Sequence, residues 1–483
     1  MKFNGKVLVI GLGGVSRCTL PLLFKHLALP AQNYTVIDFA AVEADARWVK
    51  EQGAHFEQDR VARHNMGATL AKYVGPGDLI IDLAWNIGCT DILQWCHDHD
   101  VLYINTSVEV WDPYENKDSA QPTDRTLYVR HMAMRKMMAA WKKVGPTAVL
   151  DHGANPGLVQ HFTKEALEDL AQRWLADHRH GEQHEKISSA NQSKDYPALA
   201  MHLGVKTIHI SERDTQVTTR PRQENEFVNT WSIEGFYEEG TSPAEIGWGT
   251  HERRLPPGAH THRHGPLNQI CMERFGINTW VRSWVPCGEI MGMVIRHGEA
   301  FSISEYLTVL EDGAPVYRPT VHYAYCPCDM AIAALHELRM RHYAIQTKQR
   351  LMNDDILEGR DELGCLLMGH DYKSWWIGSL LDIHETRKLV PHQNATTLQV
   401  AASVCAAVQW MIKNPQQGVR LPDALPHKEI LAVAKPYLGP FKSMPVDWTP
   451  LDNWTPFHGL AGRPKPKLED AWQFTTFLTD VGS

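Results

Sequence analysis

What the chain lacks narrows its functions before any motif is read. Nowhere do 18 uncharged apolar residues run together, so the pattern of a membrane-spanning helix is missing. Lysine and arginine form no block, and the net charge is −8, which argues against a general grip on nucleic acid. No tract has the polar, low-hydrophobicity composition of disorder; 43% hydrophobic and 22% charged residues describe a folded chain. Cysteines are only nine, an odd number scattered from 18 to 405, with no disulfide framework. The opening MKFNGKVLVIGLGG has neither the long apolar region nor the small-residue cleavage site of a signal peptide, so the cytoplasm is the expected compartment. No metal centre is expected either: Cys326 and Cys328 have no second pair, and the histidines of ADHRHGEQHEK have no matching ligand geometry. That segment reads as a polar link.

What is present begins with KVLVIGLGGVS, residues 6–16: a buried strand, a glycine turn and a helix start. Gly11, Gly13 and Gly14 permit the tight turn and close approach to a ligand, and the helix beginning at Val15 and Ser16 offers free N–H groups to a pyrophosphate. Ser16 stands where the third glycine of the dinucleotide fingerprint would be. Pro21 inside that helix is expected to bend it or to mark a short first turn. YTVIDFA ends a second strand in Asp38, whose carboxylate suits an adenosine ribose and therefore NAD rather than NADP. DLIIDLAWN, VLYINTSVE and TAVLDHGANPGLV read as further parallel strands. Their carboxyl ends carry Asn86, then Thr106, Ser107 and Glu109, then Asp151 and Asn155, in the crevice where open α/β sheets bind ligands.

A chain of 483 residues needs two or three domains. The expected fold class is α/β: a Rossmann-like NAD-binding domain over 1–155 and an α+β substrate and dimerisation domain over 156–390. Residues 391–483 would follow as a returning helix that packs on the first domain and a proline- and tryptophan-rich tail. The second domain reads as a mostly antiparallel sheet, with VKTIHISERD, EFVNTWSIEGFYEE, AEIGWGTHE, NTWVRSW, the glycine-rich EIMGMVIRHGEAFSISEYLTV and TVHYAYCP as its strand-bearing segments. Helices are expected near 327–345 and 351–358. Sixteen tryptophans imply extensive buried aromatic surface.

NTWSIEGFYEE, residues 229–239, packs an indole, two further rings and three glutamates together. As a strand it would set Trp231 on one face with Asn229 and Ile233, and Tyr237 with Glu239. With Glu212, such a segment could build a chamber for an organic cation, an aromatic face plus carboxylates. Arg220, Arg222, Arg253 and Arg254 keep open a different site, one that clamps a carboxylate substrate.

GLGGVSRCTLPLLFKH, INTSVE, DHGANPGLVQHF and above all EFVNTWSIEGFYEE resemble the bacterial homospermidine synthases, within the wider saccharopine dehydrogenase-like group, over essentially the whole chain. The resemblance implies a homodimeric NAD enzyme that makes homospermidine from two putrescines with loss of ammonia, or takes the aminobutyl group from spermidine with loss of 1,3-diaminopropane. It implies that Trp231 holds cationic intermediates, that Glu212 and Glu239 place and deprotonate amines, that Glu109 and Asn155 stand at the mouth of the cofactor domain, and that His297 lies in the pocket. The alternatives are a reductive amine–carbonyl coupling enzyme of the saccharopine or carboxynorspermidine type, and a nicotinamide-sensing regulator without chemistry.

Overall fold

The computed structural model describes residues 1–40, 43–115, 121–455 and 465–479. Six strands, β1 (Val7–Ile10), β2 (Tyr34–Asp38), β3 (His55–Gln58), β4 (Leu79–Asp82), β5 (Leu102–Asn105) and β6 (Ala148–Val149), form a parallel sheet in the order β3-β2-β1-β4-β5-β6. The strand Val419–Arg420 adds a seventh position beside β6. β1 and β4 are buried along their whole length. Strands covered on both faces need apolar side chains in both alternating directions, which explains the runs VLVI and LIID. β2 and β4 flank β1 on opposite sides, so the crevice opens at the carboxyl end of β1.

Helix α1 (Gly14–His26) continues through Pro21 and packs against the returning helix Ala395–Lys413. This second helix is apolar and long enough to cross a bilayer, but most of it is buried inside the fold.

The larger sheet centres on β7 (Thr207–Asp214), which lies between Thr320–Cys326, its one parallel neighbour, and the antiparallel Arg360–His370. Outward from these follow Pro243–Gly247 and Gln269–Phe275 on one side, Lys373–Asp382 and Phe441–Val446 on the other. Alternation along β7 puts Ile208 and Ile210 in the core, then Glu212 and Asp214 on the same face at the strand's end. Asp361 stands opposite Asp214, and Tyr325 opposite Glu212. One face of the sheet thus turns from hydrocarbon to carboxylate within four residues.

Several expectations are corrected. Residues 229–239 are not a strand: Glu226–Asn229 pairs with Lys348–Leu351 in a separate small sheet, and Ile233–Gly240 is a helix. The Ser232 hydroxyl caps that helix by accepting the Gly235 N–H at 3.0 Å, while Ile233 and Phe236 bury one helical face. Trp231 sits at the junction and shares no strand face with Ile233. Residues 351–358 hold the end of Lys348–Leu351 and the strand Ile356–Glu358, not a helix. In EIMGMVIRHGEAFSISEYLTV the strand stops at Met293, and Gly298–Tyr306 is a helix with His297 at its N-cap. The histidine-rich link is helical from Glu182. The tail packs on the fold: Trp448, Phe474 and Phe477 are buried against the larger sheet. Residues 456–464 and 480–483 of that tail lie outside the described residues.

Candidate functional site

A cleft of about 580 Å³ opens at the carboxyl end of β1 and brings together Gly11, Gly13, Gly14, Val15, Ser16, Asp38, Asn86 and Trp231. Gly11 has φ +93°, and a Cβ there would stand 3.1 Å from the Leu83 carbonyl, so the turn requires glycine. A Cβ on Gly13 would meet nothing within 4 Å, since that backbone faces open space. No side chain caps α1, which leaves its first N–H groups for a ligand. Ser16 is buried and donates from its hydroxyl to the Gly11 carbonyl at 2.6 Å, closing the turn on itself. Asp38 accepts the Leu12 N–H at 2.7 Å and the Ala40 N–H at 2.8 Å, which fixes its carboxylate at the cleft edge. The Asn86 side-chain oxygen is buried without a hydrogen-bond partner among the described residues. A bare helix start, an open glycine face, a fixed carboxylate and an unpartnered amide oxygen fit a dinucleotide.

Trp231 is where the cleft meets the acidic face of the larger sheet. It lines the cleft, and its Nε1 donates to the Tyr325 hydroxyl at 2.8 Å. Beyond it each of three buried carboxyls receives one hydroxyl: Tyr323 donates to Glu212, Thr230 to Asp214 at 2.6 Å, and Thr396 to Asp361 at 2.6 Å. Asn155 adds its amide to Glu212 at 3.4 Å. Burial pushes Glu212 up to about 7, with Asp214 and Glu299 adding to the rise. Burial, then Glu212 and Asp214, hold Asp361 well above the usual carboxylate range. Crowded acids without a cation keep protons; a cation in their midst would displace them.

His297 bridges to the rest of the pocket, with Nε2 3.1 Å from Glu239, Nδ1 3.3 Å from Glu299, and its ring 4.3 Å from that of Tyr323. Burial alone would depress it, but Glu299 and Glu239 raise it well above the ordinary histidine value. Glu109 accepts from Ser107 at 2.9 Å, and its other oxygen is buried and unpartnered. Burial and the nearby Glu238 push Glu109 up to about 7. Burial acts on Glu238 too, but Arg296 and Arg130, both bonded to it, draw it below its usual value.

Thr106, Ser107 and Asp151 do not line the cleft. Thr106 packs beside Gly153, Ser107 is bonded to Glu109, and Asp151 is buried 2.9 Å from His131. Of the arginines that could have clamped a carboxylate, Arg222 pairs with Glu337 and Arg253 with Asp470; Arg220 stands 4.0 Å from Glu226, and Arg254 is exposed. Sequence reading missed Tyr323 and Tyr325, although HYAYC puts two tyrosines on one face of a strand. It also missed Asp214, Glu299, Asp361 and Thr396.

Residues 7–149 match the family described as saccharopine dehydrogenase NADP binding domain, and residues 153–446 match the saccharopine dehydrogenase C-terminal domain. The homospermidine synthase of Mesorhizobium japonicum is 38% identical, over 99% of this chain and 97% of that protein. That of Blastochloris viridis is 39% identical, over 99% and 98%. The crystal structure of a homospermidine synthase from Legionella pneumophila, in complex with NAD, has a TM-score of 0.87 at 35% identity, covering 100% of this chain and 99% of that one.

Proposed function

The chain belongs to the homospermidine synthase family, within the saccharopine dehydrogenase-like proteins, and from that premise we propose that it joins two putrescines into homospermidine and ammonia with NAD as a retained cofactor. Spermidine in place of one putrescine would release 1,3-diaminopropane by the same chemistry. The observation that carries this reading is the position of Trp231, which lines the cofactor cleft and is bonded to the tyrosine-and-carboxyl face.

Gly11, Gly13, Gly14, Val15 and Ser16 would hold the pyrophosphate, Asp38 the adenosine ribose, and Asn86 the carboxamide. Thr106, Ser107 and Asp151 act behind them, through Gly153, Glu109 and His131. Bound there, NAD supplies a hydride acceptor for the first oxidation and a hydride donor for the last reduction. Hydride leaves only a carbon whose nitrogen has a free lone pair, and alkylammonium groups hold their proton to pH ~10. Glu212, raised to about 7 and steadied by Tyr323 and Asn155, takes that proton. The donor carbon becomes an iminium, whose positive charge lies against the Trp231 ring, a contact worth roughly 0.5–2 kcal/mol. The free amine of the second diamine adds to that carbon, ammonia leaves, and the joined imine is reduced. Glu239 holds the far ammonium, His297 orients Glu239 by bridging it to Glu299, and Glu109 marks the entrance. Arg130 and Arg296 do not favour an anionic substrate, because Glu238 engages both.

We take 1–155 as the cofactor domain, 156–390 as the substrate and dimerisation domain, and 391–483 as the return segment, in a cytoplasmic homodimer. The test incubates the protein with putrescine and a catalytic amount of NAD and reads products by mass. Homospermidine and ammonia without net NADH are expected. Stoichiometric use of NAD(P)H with a carbonyl-bearing amino acid, or no product at all, overturns the proposal.

A further inference from the structure

Asp361 and Glu212 stand on neighbouring strands, but the group that orients Asp361 comes from the returning helix. Thr396, in the first turn of Ala395–Lys413, donates its hydroxyl to Asp361 Oδ2 at 2.6 Å. The direction of that bond is set by Gln216. The Gln216 Nε2 donates to the Thr396 hydroxyl oxygen at 3.3 Å and to Asp214 Oδ1 at 3.1 Å, while its Oε1 accepts the Ala395 N–H at 3.0 Å. With its oxygen accepting from Gln216, the threonine has its proton left for Asp361. Gln399, one turn on, donates to the Asp361 backbone carbonyl at 3.0 Å. The second carboxyl oxygen, Oδ1, is buried and receives no N–H or O–H donor among the described residues, while the Asp361 carboxyl lies within hydrogen-bonding reach of that of Glu212. Asp361 is thus held by a donor on one side and faces a second acid, Glu212, on the other, a pair that a cation can bridge.

We propose that Thr396 is a positioning residue of the amine pocket, fixing Asp361 so that Oδ1 is presented as an acceptor for the substrate ammonium beside Glu212. This rests on the polyamine reading above. It assigns the returning helix a part in substrate binding besides its contact with α1, where Thr397 lies against Gly14. The same first turn therefore touches the glycine loop with one side chain and the amine acids with the next.

The groups that face Asp361 and Glu212 are Asp214 on β7, Tyr323 and Tyr325 on the neighbouring strand, and His297 with Glu299 at the start of Gly298–Tyr306. Removing a donor to the ionised carboxyl favours its protonated form. Thr396→Val keeps the shape and deletes the hydroxyl; Thr396→Ser keeps the hydroxyl.

The experiment measures kcat/KM for putrescine from pH 6 to 10, with NAD affinity and melting temperature as controls. Thr396→Val is expected to lose about 10-fold at neutral pH through KM, the scale of a hydrogen bond to a charged group. Its acidic limb moves up by about one unit, and Thr396→Ser returns to the parent profile, while NAD affinity holds in both. A Val variant with the parent limb, or a Ser variant that behaves like Val, overturns the inference while the synthase reading stands. A parent protein that makes no homospermidine overturns both.

Discussion

Trp231 Nε1 and the Tyr325 hydroxyl are 2.8 Å apart, and this bond joins the cofactor cleft to the acidic end of the larger sheet. It also orients the indole, whose face rather than its N–H is then free for a cation. Trp231→Leu is expected to fold and bind NAD yet lose roughly 30-fold in homospermidine formation, the equivalent of ~2 kcal/mol of cation–π stabilisation. Trp231→Phe, which keeps a ring face, loses less. Product formation in the two variants checks the order; equal, near-parent rates would remove the ring from catalysis.

Glu212 is the proposed proton acceptor. Glu212→Gln should cost about 10²-fold or more in kcat, the usual scale of a general base. Activity in the parent rises with pH as Glu212 ionises through about 7. That limb should shrink in Glu212→Gln to the part that Asp361 sets, and persist in full in Glu109→Gln, although Glu109 is also raised to about 7. Full pH–rate profiles of the two variants separate them.

Glu239→Gln removes one of the two carboxylates beside His297. The expected result is an increase of roughly 10-fold or more in the KM for putrescine, as for loss of a charge-assisted hydrogen bond. His297 should also titrate at lower pH than in the parent, because one of the charges that raise it is gone. Steady-state kinetics and histidine NMR read the two effects.

Asp38→Ala frees the Leu12 N–H and takes the carboxylate from the cleft edge. NAD affinity should fall by about 10-fold or more, as for hydrogen bonds to a charged group, with discrimination against NADP reduced. Titration of intrinsic tryptophan fluorescence with each dinucleotide measures both.

The buried histidines should weaken this protein in acid, against buried carboxyls such as Glu109 and Glu212 that take up protons in the folded chain near 7. Burial holds His152 down to about 3 and His322 to about 4, so both rings are neutral in the folded chain. The unfolded chain takes up those protons near 6.5, so the contribution is complete above that pH and is lost as pH falls toward 4. For His322 the loss approaches about 3 kcal/mol. Urea denaturation of the parent and of His322→Gln between pH 7 and 4.5 should show the parent losing stability relative to the variant as pH falls.

The first sheet was legible because its signals are local: an apolar run, a glycine turn and a polar residue at each strand end. Trp231, Glu212 and Glu239 were legible as a group, but not their geometry. The residues around Trp231 are aromatic and strand-like, and the hydroxyl cap of Ser232 over Gly235 decided for a helix. Asp361 and Thr396 had no signal of their own. They reach Glu212 only through a strand and a helix that arrive about 150 and about 180 residues later, and a buried acid has no local pattern until its neighbours are known.

Val419–Arg420 and Phe441–Val446 lie close together in sequence yet complete different sheets. During synthesis neither half can therefore finish assembling until nearly all of the polypeptide has left the ribosome. The nucleotide-binding half receives its last strand from the same late stretch that gives the larger sheet its edge strand. A gene cut at the apparent boundary near residue 150 would yield an incomplete sheet with an open edge, prone to clump rather than to work at half capacity.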